Sequence, residues 1–222
     1  MKTVLAILIL TMTAGAGLAA GPSTSSLPVK YITLEGLAQS LPSTPIVAGF
    51  DIDDTVLFST PAYYYGANNG EGPGGTNRYG SDYLANPQFR KDLNQDLDKF
   101  SMKKKAGDEL IAMHKRRGDT IVFITKRNCY DDDAEVIRKR LNRLFALSSQ
   151  VFCTNEQSKT PYLEKTGARI YYGDADTDIE YSMQVKGDKV RPIRVERSRM
   201  STNKGGYHPG KYGEEILADS EN

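Results

Sequence analysis

The stretch Ile46-Val-Ala-Gly-Phe-Asp51-Ile-Asp53-Asp54-Thr55 constrains this chain more than any other. An apolar run of strand length stops abruptly in three carboxylates. Side chains alternate along a strand, so Asp51 and Asp53 share a face. Acids crowded at the end of a buried strand need a cation or a shared proton to offset their charge. Three readings compete: an acidic surface loop, a calcium loop, or an aspartate nucleophile with a second Asp as acid/base beside a hard metal ion. A calcium loop needs Gly at its sixth position and Glu at its twelfth. Counted from Asp51, those positions hold Val56 and Ala62, so that pattern fails.

The rest of the chain supplies more strands of the same kind. Residues 120–125 (TIVFIT), 151–153, 169–174 and 190–195 are apolar runs, and helical spacing fills residues 102–117, 131–147, 161–166 and 178–185 between them. Further helices are expected over 34–39 and 86–100, whereas the Tyr-, Gly- and Asn-rich residues 58–80 read as a long loop. Strands alternating with helices predict an α/β fold: a mostly parallel sheet flanked by helices, with a small cap or lid inserted after the first strand. Ligands of such sheets bind at the carboxyl ends of the strands. There the sequence places Asp51 and Asp53, Thr125 and Arg127, Lys159, and Asp174.

The 222 residues hold 39% hydrophobic residues, enough for one ordinary core, and the formal charge of +1 does not point to nucleic acid as a partner. Residues 1–20 read as a secretory signal peptide: Lys2, the apolar run from Val4 to Leu10, then small residues to Ala20. No lipid-anchor cysteine accompanies it and no other stretch is apolar enough to span a membrane, so the expectation is a periplasmic or secreted protein without a membrane anchor. Residues 21–45 read as an N-terminal extension and 46–222 as the main domain, with the cap at about 58–100. The only cysteines, Cys129 and Cys153, can pair in an oxidising compartment, and no histidine cluster points to zinc. His114 and His208 are expected to be structural or solvent-facing.

Asp174-Ala-Asp176-Thr-Asp178 is a second acidic cluster, and Ile179 and Val185 stand where a calcium loop needs Gly and Glu. Asp174 can instead meet Asp51 across the sheet, with Asp178 in support or capping the next helix. Few carboxylates plus a substrate phosphate suit Mg²⁺. Thr125, the backbone that follows it, Arg127 and Lys159 can hold phosphate oxygens.

These pieces resemble the class B nonspecific acid phosphatases of the haloacid dehalogenase superfamily. The likeness rests on Phe50-Asp51-Ile-Asp53-Asp54-Thr55-Val-Leu-Phe-Ser, His114-Lys-Arg-Arg-Gly-Asp119, Thr125-Lys-Arg127, Tyr172-Gly-Asp174-Ala-Asp176-Thr-Asp178-Ile and Tyr212-Gly-Glu-Glu-Ile. It implies a metal-dependent phosphatase for small phosphomonoesters, nucleotides included, with phosphotransfer to alcohols or nucleosides as a second activity and a homotetrameric assembly. It also implies roles: Asp51 as nucleophile, Asp53 as acid/base, and a metal held by the Asp51 carboxylate, the Asp53 main-chain carbonyl and Asp174. The phosphoryl group falls to Thr125, Lys126, Arg127 and Lys159, and the substrate wall to Tyr63, Tyr83 and Leu84. Two close carboxylates push their pKa values apart, and the expectation is that Asp53 is the one kept protonated.

The chain departs from the family pattern at three places. Lys126 replaces a usual Gly, residues 68–75 form a Gly-rich insert, and Arg90 stands where an aromatic is expected. Cys129 and Cys153 follow adjacent predicted strands, so they can pair beside the site or stay as two free thiols. The competing readings are a class C-like phosphatase or nucleotidase, and an exported metal- or phosphate-binding protein without turnover.

Overall fold

The computed structural model describes residues 28–222; the expected signal peptide lies outside them. Seven parallel strands form one sheet in the order β1-β9-β8-β7-β2-β5-β6. They are β1 (Lys30–Ile32), β2 (Val47–Phe50), β5 (Thr120–Thr125), β6 (Gln150–Cys153), β7 (Ile170–Gly173), β8 (Arg191–Arg194) and β9 (Glu215–Leu217). A two-stranded antiparallel ribbon, β3 (Leu57–Phe58) with β4 (Met102–Lys103), stands apart from it.

Alternation divides the sheet into two cores. Phe50, Ile121, Phe123, Ile170 and Tyr172 pack on one face against Leu37 of α1 (Leu34–Ser40), Leu110 and Ile111 of α4 (Lys105–Arg117) and Ile137 and Leu141 of α5 (Asp133–Phe145). Val122, Ile124 and Tyr171 point to the other face, where Leu163 of α6 (Thr160–Thr166) covers them. Local chemistry sets the helix ends. Gly118 closes α4 and Gly167 closes α6, both with left-handed backbone. Thr33 caps α1 through its hydroxyl, and the carboxylate of Asp178 accepts the Ala175 N–H ahead of α7 (Asp176–Met183).

The expected strands and helices are present, with ends shifted by a few residues. Beside the β3–β4 ribbon, which the sequence reading did not contain, three elements differ. Residues 58–80 are not a loop throughout: Thr60–Asn68 is helix α2, started by Pro61 and packed on α3 (Pro87–Gln95). The ring of Phe89 lies against Gly66, where a Cβ would overlap it, and against the rings of Tyr63, Tyr79 and Tyr83. This packing in a small separate core outweighs the weak helix propensity of Tyr, Gly and Asn. The other additions are β1 and β9, three-residue strands without recognisable periodicity that pair with each other at the sheet edge. Residues 30–32 of the expected N-terminal extension thus belong to the main sheet.

Candidate active site

The site sits where the carboxyl ends of β2, β5, β6 and β7 converge. Asp51 follows β2, its N–H held by Tyr172 O at 2.8 Å. Asp174 follows β7, Thr125 ends β5, and Lys159 follows β6 at the start of α6. Gly173 is required here: a Cβ would overlap the Asp178 carboxyl, so only glycine lets that carboxyl pack against the end of β7. Helix α4 reaches the turn after Asp53 in the same way, with a Gly107 Cβ position 2.6 Å from Val56 Cα.

Carboxylate oxygens of Asp51, Asp174 and Asp178 lie within 4.8 Å of one another, all buried. Lys159 Nζ donates to Asp51 Oδ1 at 2.5 Å, Asp178 Oδ1 at 2.7 Å and the Tyr171 hydroxyl at 2.9 Å. Arg197 Nε donates to Asp174 Oδ2 at 2.5 Å. Three carboxylates thus face two cations, and one negative charge is left over. Burial pushes the Asp51 carboxyl well up, against the pull of Lys159 and with the push of Asp178 and Asp174. Burial likewise raises Asp174 to about 7 although Arg197 opposes it.

This surplus is the test for a metal. Asp51 Oδ2 and Asp174 Oδ1 have only long contacts, 3.4 Å each, to the Thr55 hydroxyl. An all-oxygen, net-negative, buried donor set fits a hard divalent cation. Asp178 belongs to the cluster by distance, and its oxygens serve Lys159 and the Ala175 N–H.

Asp53 differs from expectation. Its carboxylate turns to Arg127, which donates from Nε to Oδ2 at 2.8 Å and from Nη2 to Oδ1 at 2.7 Å. Burial raises the Asp53 pKa, but the Arg127 charge and hydrogen bonds outweigh it and hold the carboxyl below its ordinary value. The two acids are pushed apart, but in the opposite order: Asp51 is the one raised. The reason is a partner that sequence does not reveal. Arg127 is pinned from behind by buried Asp98, whose Oδ1 accepts from Nη2 at 3.0 Å and from Ser101 Oγ at 2.7 Å.

Two cavities meet at Asp53. A polar one of about 370 Å³ is lined by Asp51, Thr125, Lys126, Lys159, Asp174 and Arg197. A larger one of about 540 Å³ is lined by Tyr63, Tyr83, Leu84, Phe89 and Arg90. Asp53, Tyr63 and Arg127 line both. The predicted wall residues are therefore gathered together, and Phe89 of the same helix supplies an aromatic beside Arg90, whose Nε donates to Leu84 O. Lys126 keeps its backbone out of the left-handed region, so no glycine is demanded there, and its amine lies 3.8 Å from Glu156. Cys129 and Cys153 form a disulfide that ties the loop after β5 to the end of β6. His114 is buried away from the site, and His208 is bonded to Asp176.

Arg197, Asp98 and Phe89 are absent from the sequence expectations. Arg197 carried a usable signal: it lies three residues past β8, at the same edge of the sheet as the expected residues. Asp98 carried none, being one acid in a polar segment. Lys104 also joins the site from behind, donating to Asp54 O and Glu196 O, and burial lowers its amine to about 8.

The chain is similar to known proteins. The family described as HAD superfamily, subfamily IIIB (acid phosphatase) matches residues 29–195. A class B acid phosphatase of Morganella morganii is 36% identical over 201 residues, covering 87% of this chain and 80% of the relative. One from Enterobacter sp. (strain 638) is 35% identical over 203 residues, covering 87% and 81%. A crystal structure from Clostridium acetobutylicum, described as a predicted phosphatase, aligns with a TM-score of 0.50 at 12% identity, covering 79% of this chain and 94% of that one.

Proposed function

This chain belongs to the acid phosphatase subfamily IIIB of the HAD superfamily and is a phosphatase, and we propose an exported, Mg²⁺-dependent enzyme that hydrolyses small phosphomonoesters, nucleotides included. The observation that carries this reading is the placement of Asp53 on the boundary between a charged cavity and an aromatic one. The phosphoryl group belongs in the first, beside Asp51, and an aromatic or nucleoside leaving group in the second, against Tyr63, Tyr83 and Phe89.

In the first step an Asp51 oxygen attacks phosphorus, the bond to the ester oxygen breaks, and that oxygen takes its electron pair and a proton from Asp53. In the second, water attacks phosphorus while giving its proton to Asp53, and the aspartyl–phosphate bond breaks with its electron pair returning to Asp51. An alcohol in place of water gives phosphotransfer by the same balance. Asp53 must be protonated to start, and Arg127 opposes that while it is bonded to it. A phosphoryl group that draws the Arg127 charge to itself loosens this hold, so substrate binding supplies the acid form. Lys159 orients Asp51 and offsets charge on the phosphoryl oxygens. Mg²⁺ held by Asp51 and Asp174 supplies charge neutralisation for the phosphoryl transfer.

The disulfide supports export, because such bonds persist in oxidising compartments. Among the described residues no helix is long and apolar enough to cross a membrane. A homotetramer is the family's assembly and is proposed here on that ground; sedimentation of the full chain tests it.

The experiment for the main reading is hydrolysis of p-nitrophenyl phosphate with EDTA, then with Mg²⁺ restored, beside Asp51→Asn. Activity is expected to vanish with EDTA, return with Mg²⁺, and fall ~10⁴-fold or more in the variant. A folded wild type that binds Mg²⁺ but turns over neither this ester nor a nucleoside monophosphate moves the reading to a binding protein.

A further inference from the structure

Arg197 lies beyond the end of β8 with 5% of its surface exposed. Its Nε holds Asp174 Oδ2, while Nη1 donates to Asn203 O at 2.9 Å and Gly205 O at 2.7 Å. Its guanidinium stands 4.9 Å from the centroid of the Tyr207 ring, and its main-chain N–H donates to the Tyr207 hydroxyl at 3.1 Å. Three contacts from one loop therefore fix the guanidinium, a fourth holds the main chain behind it, and the guanidinium fixes one oxygen of Asp174.

The same restriction runs through the cluster. Lys159 takes Asp51 Oδ1 and Asp178 Oδ1, and the Ala175 N–H takes Asp178 Oδ2. Of these carboxylates, what remains for a cation is a single oxygen from Asp51 and a single oxygen from Asp174, both facing Thr55. Mg²⁺ is content with this, since it takes a few single-oxygen carboxylates in an octahedral shell and fills the rest with water. Ca²⁺ is larger, prefers a higher coordination number and gains from carboxylates that offer both oxygens.

We infer that Arg197 is a metal-selectivity residue: by occupying Asp174 Oδ2 it limits this carboxylate to one oxygen and so disfavours Ca²⁺ relative to Mg²⁺. The inference rests on the divalent-metal reading above. Arg197 isolates the effect better than Lys159, because Lys159 also touches the nucleophile. Loss of the Arg197 charge strengthens binding of both ions alike by Coulomb attraction. The ratio of the two affinities cancels that part and keeps the effect of the released oxygen. A residue that only anchored the 203–207 loop would alter stability and substrate affinity and leave the ratio alone.

The test is calorimetric titration of the metal-free full chain with MgCl₂ and, separately, CaCl₂, for the wild type, Arg197→Met and Arg197→Lys. The methionine variant is expected to gain Ca²⁺ affinity relative to Mg²⁺ by about tenfold. The lysine variant, which keeps a cation on Oδ2, keeps the wild-type ratio. If circular dichroism shows the methionine variant unfolded, Arg197→Ala, which likewise leaves Oδ2 without a donor, replaces it with the same expected shift. An unchanged ratio in a folded, metal-binding neutral variant overturns the inference and spares the metal site. A lysine variant that shifts as far as the neutral one also overturns it. A wild type that binds neither ion overturns the metal site and this inference together.

Discussion

Two clusters of buried charge sit at opposite edges of the same sheet and behave differently. At the amino edge, just before β5, Asp119 accepts from His114 Nδ1 at 2.6 Å, from Arg117 Nε at 2.8 Å and from the Ile46 N–H at 2.8 Å. His114 Nε2 meets the Tyr172 hydroxyl at 2.8 Å, so both ring nitrogens are occupied. At the carboxyl edge, Asp51, Asp174 and Asp178 share two cations and keep a charge to spare. The Asp119 carboxyl is held below its ordinary value: burial pushes it up, but the hydrogen bonds from His114, Ile46 and Arg117 win. Those of Asp51 and Asp174 are raised. Burial of charge is common to both clusters. Completed partners make the first part of the architecture, and the missing partner makes the second a place for a ligand.

The contrast breaks if the wrong cluster controls the wrong property. Asp53→Asn removes the proton carrier while keeping a side chain that can still accept from Arg127. It is expected to lower kcat by ~10²–10⁴ with little change in melting temperature. Full activity with lost stability would put Asp53 with the structural cluster. Next in size is the disulfide. Cys129→Ser is expected to cost ~3 kcal/mol in a denaturant titration and to raise KM, because the bond braces the loop that carries Lys126 and Arg127. A variant with unchanged KM assigns that rigidity to the backbone bonds Thr154 N–H to Thr125 O and Glu156 N–H to Lys126 O.

The smallest effect belongs to the amino edge. Asp119→Asn is expected to leave kcat alone and to cost about 1–3 kcal/mol near neutral pH, since the His114 and Arg117 donors lose their anion. Its pH dependence has a definite sign. A carboxyl with a depressed folded pKa stabilises above its unfolded value, near 3.9, and that stability is lost as pH falls through the folded value. His114 is lowered too: burial depresses it, against the pull of Asp119, so the folded chain binds that proton less readily. Its contribution begins to fall away below about 6.5. The contribution of this amino-edge cluster should therefore decline on acidification, and the stability gap between wild type and Asp119→Asn should close at the acid end. A gap that stays constant from neutral pH to below 4 would show that Asp119 acts through packing and not through its charge.

Much of this was readable before any coordinates. The five central strands follow from apolar runs bounded by turn residues, and period two explains why Ile121 and Phe123 enter one core while Val122 and Ile124 enter the other. Asp51, Asp53, Thr125, Arg127, Lys159 and Asp174 were legible because a parallel sheet collects the residues at its strand ends. Helix α2 was not, because it is held by Phe89 across a separate core and not by its own propensity. Neither were β1 and β9, which are too short to show a period and find each other across nearly the whole chain.

What the sequence alone determined is the one-dimensional part: which segments are strands, which helices, and which chemical groups lie at the ends. Tertiary structure decided which group faces which. Arg127 was free to hold a phosphate or a carboxylate, and Asp98, brought from the segment between β3 and β4, turned it toward Asp53. Asp174 was free to offer two oxygens, and Arg197, arriving from beyond β8, took one. Strand order and periodicity are written by neighbours along the chain, whereas the partner of a charge is chosen by distance in space, and a charge in a low-dielectric interior is governed by that partner.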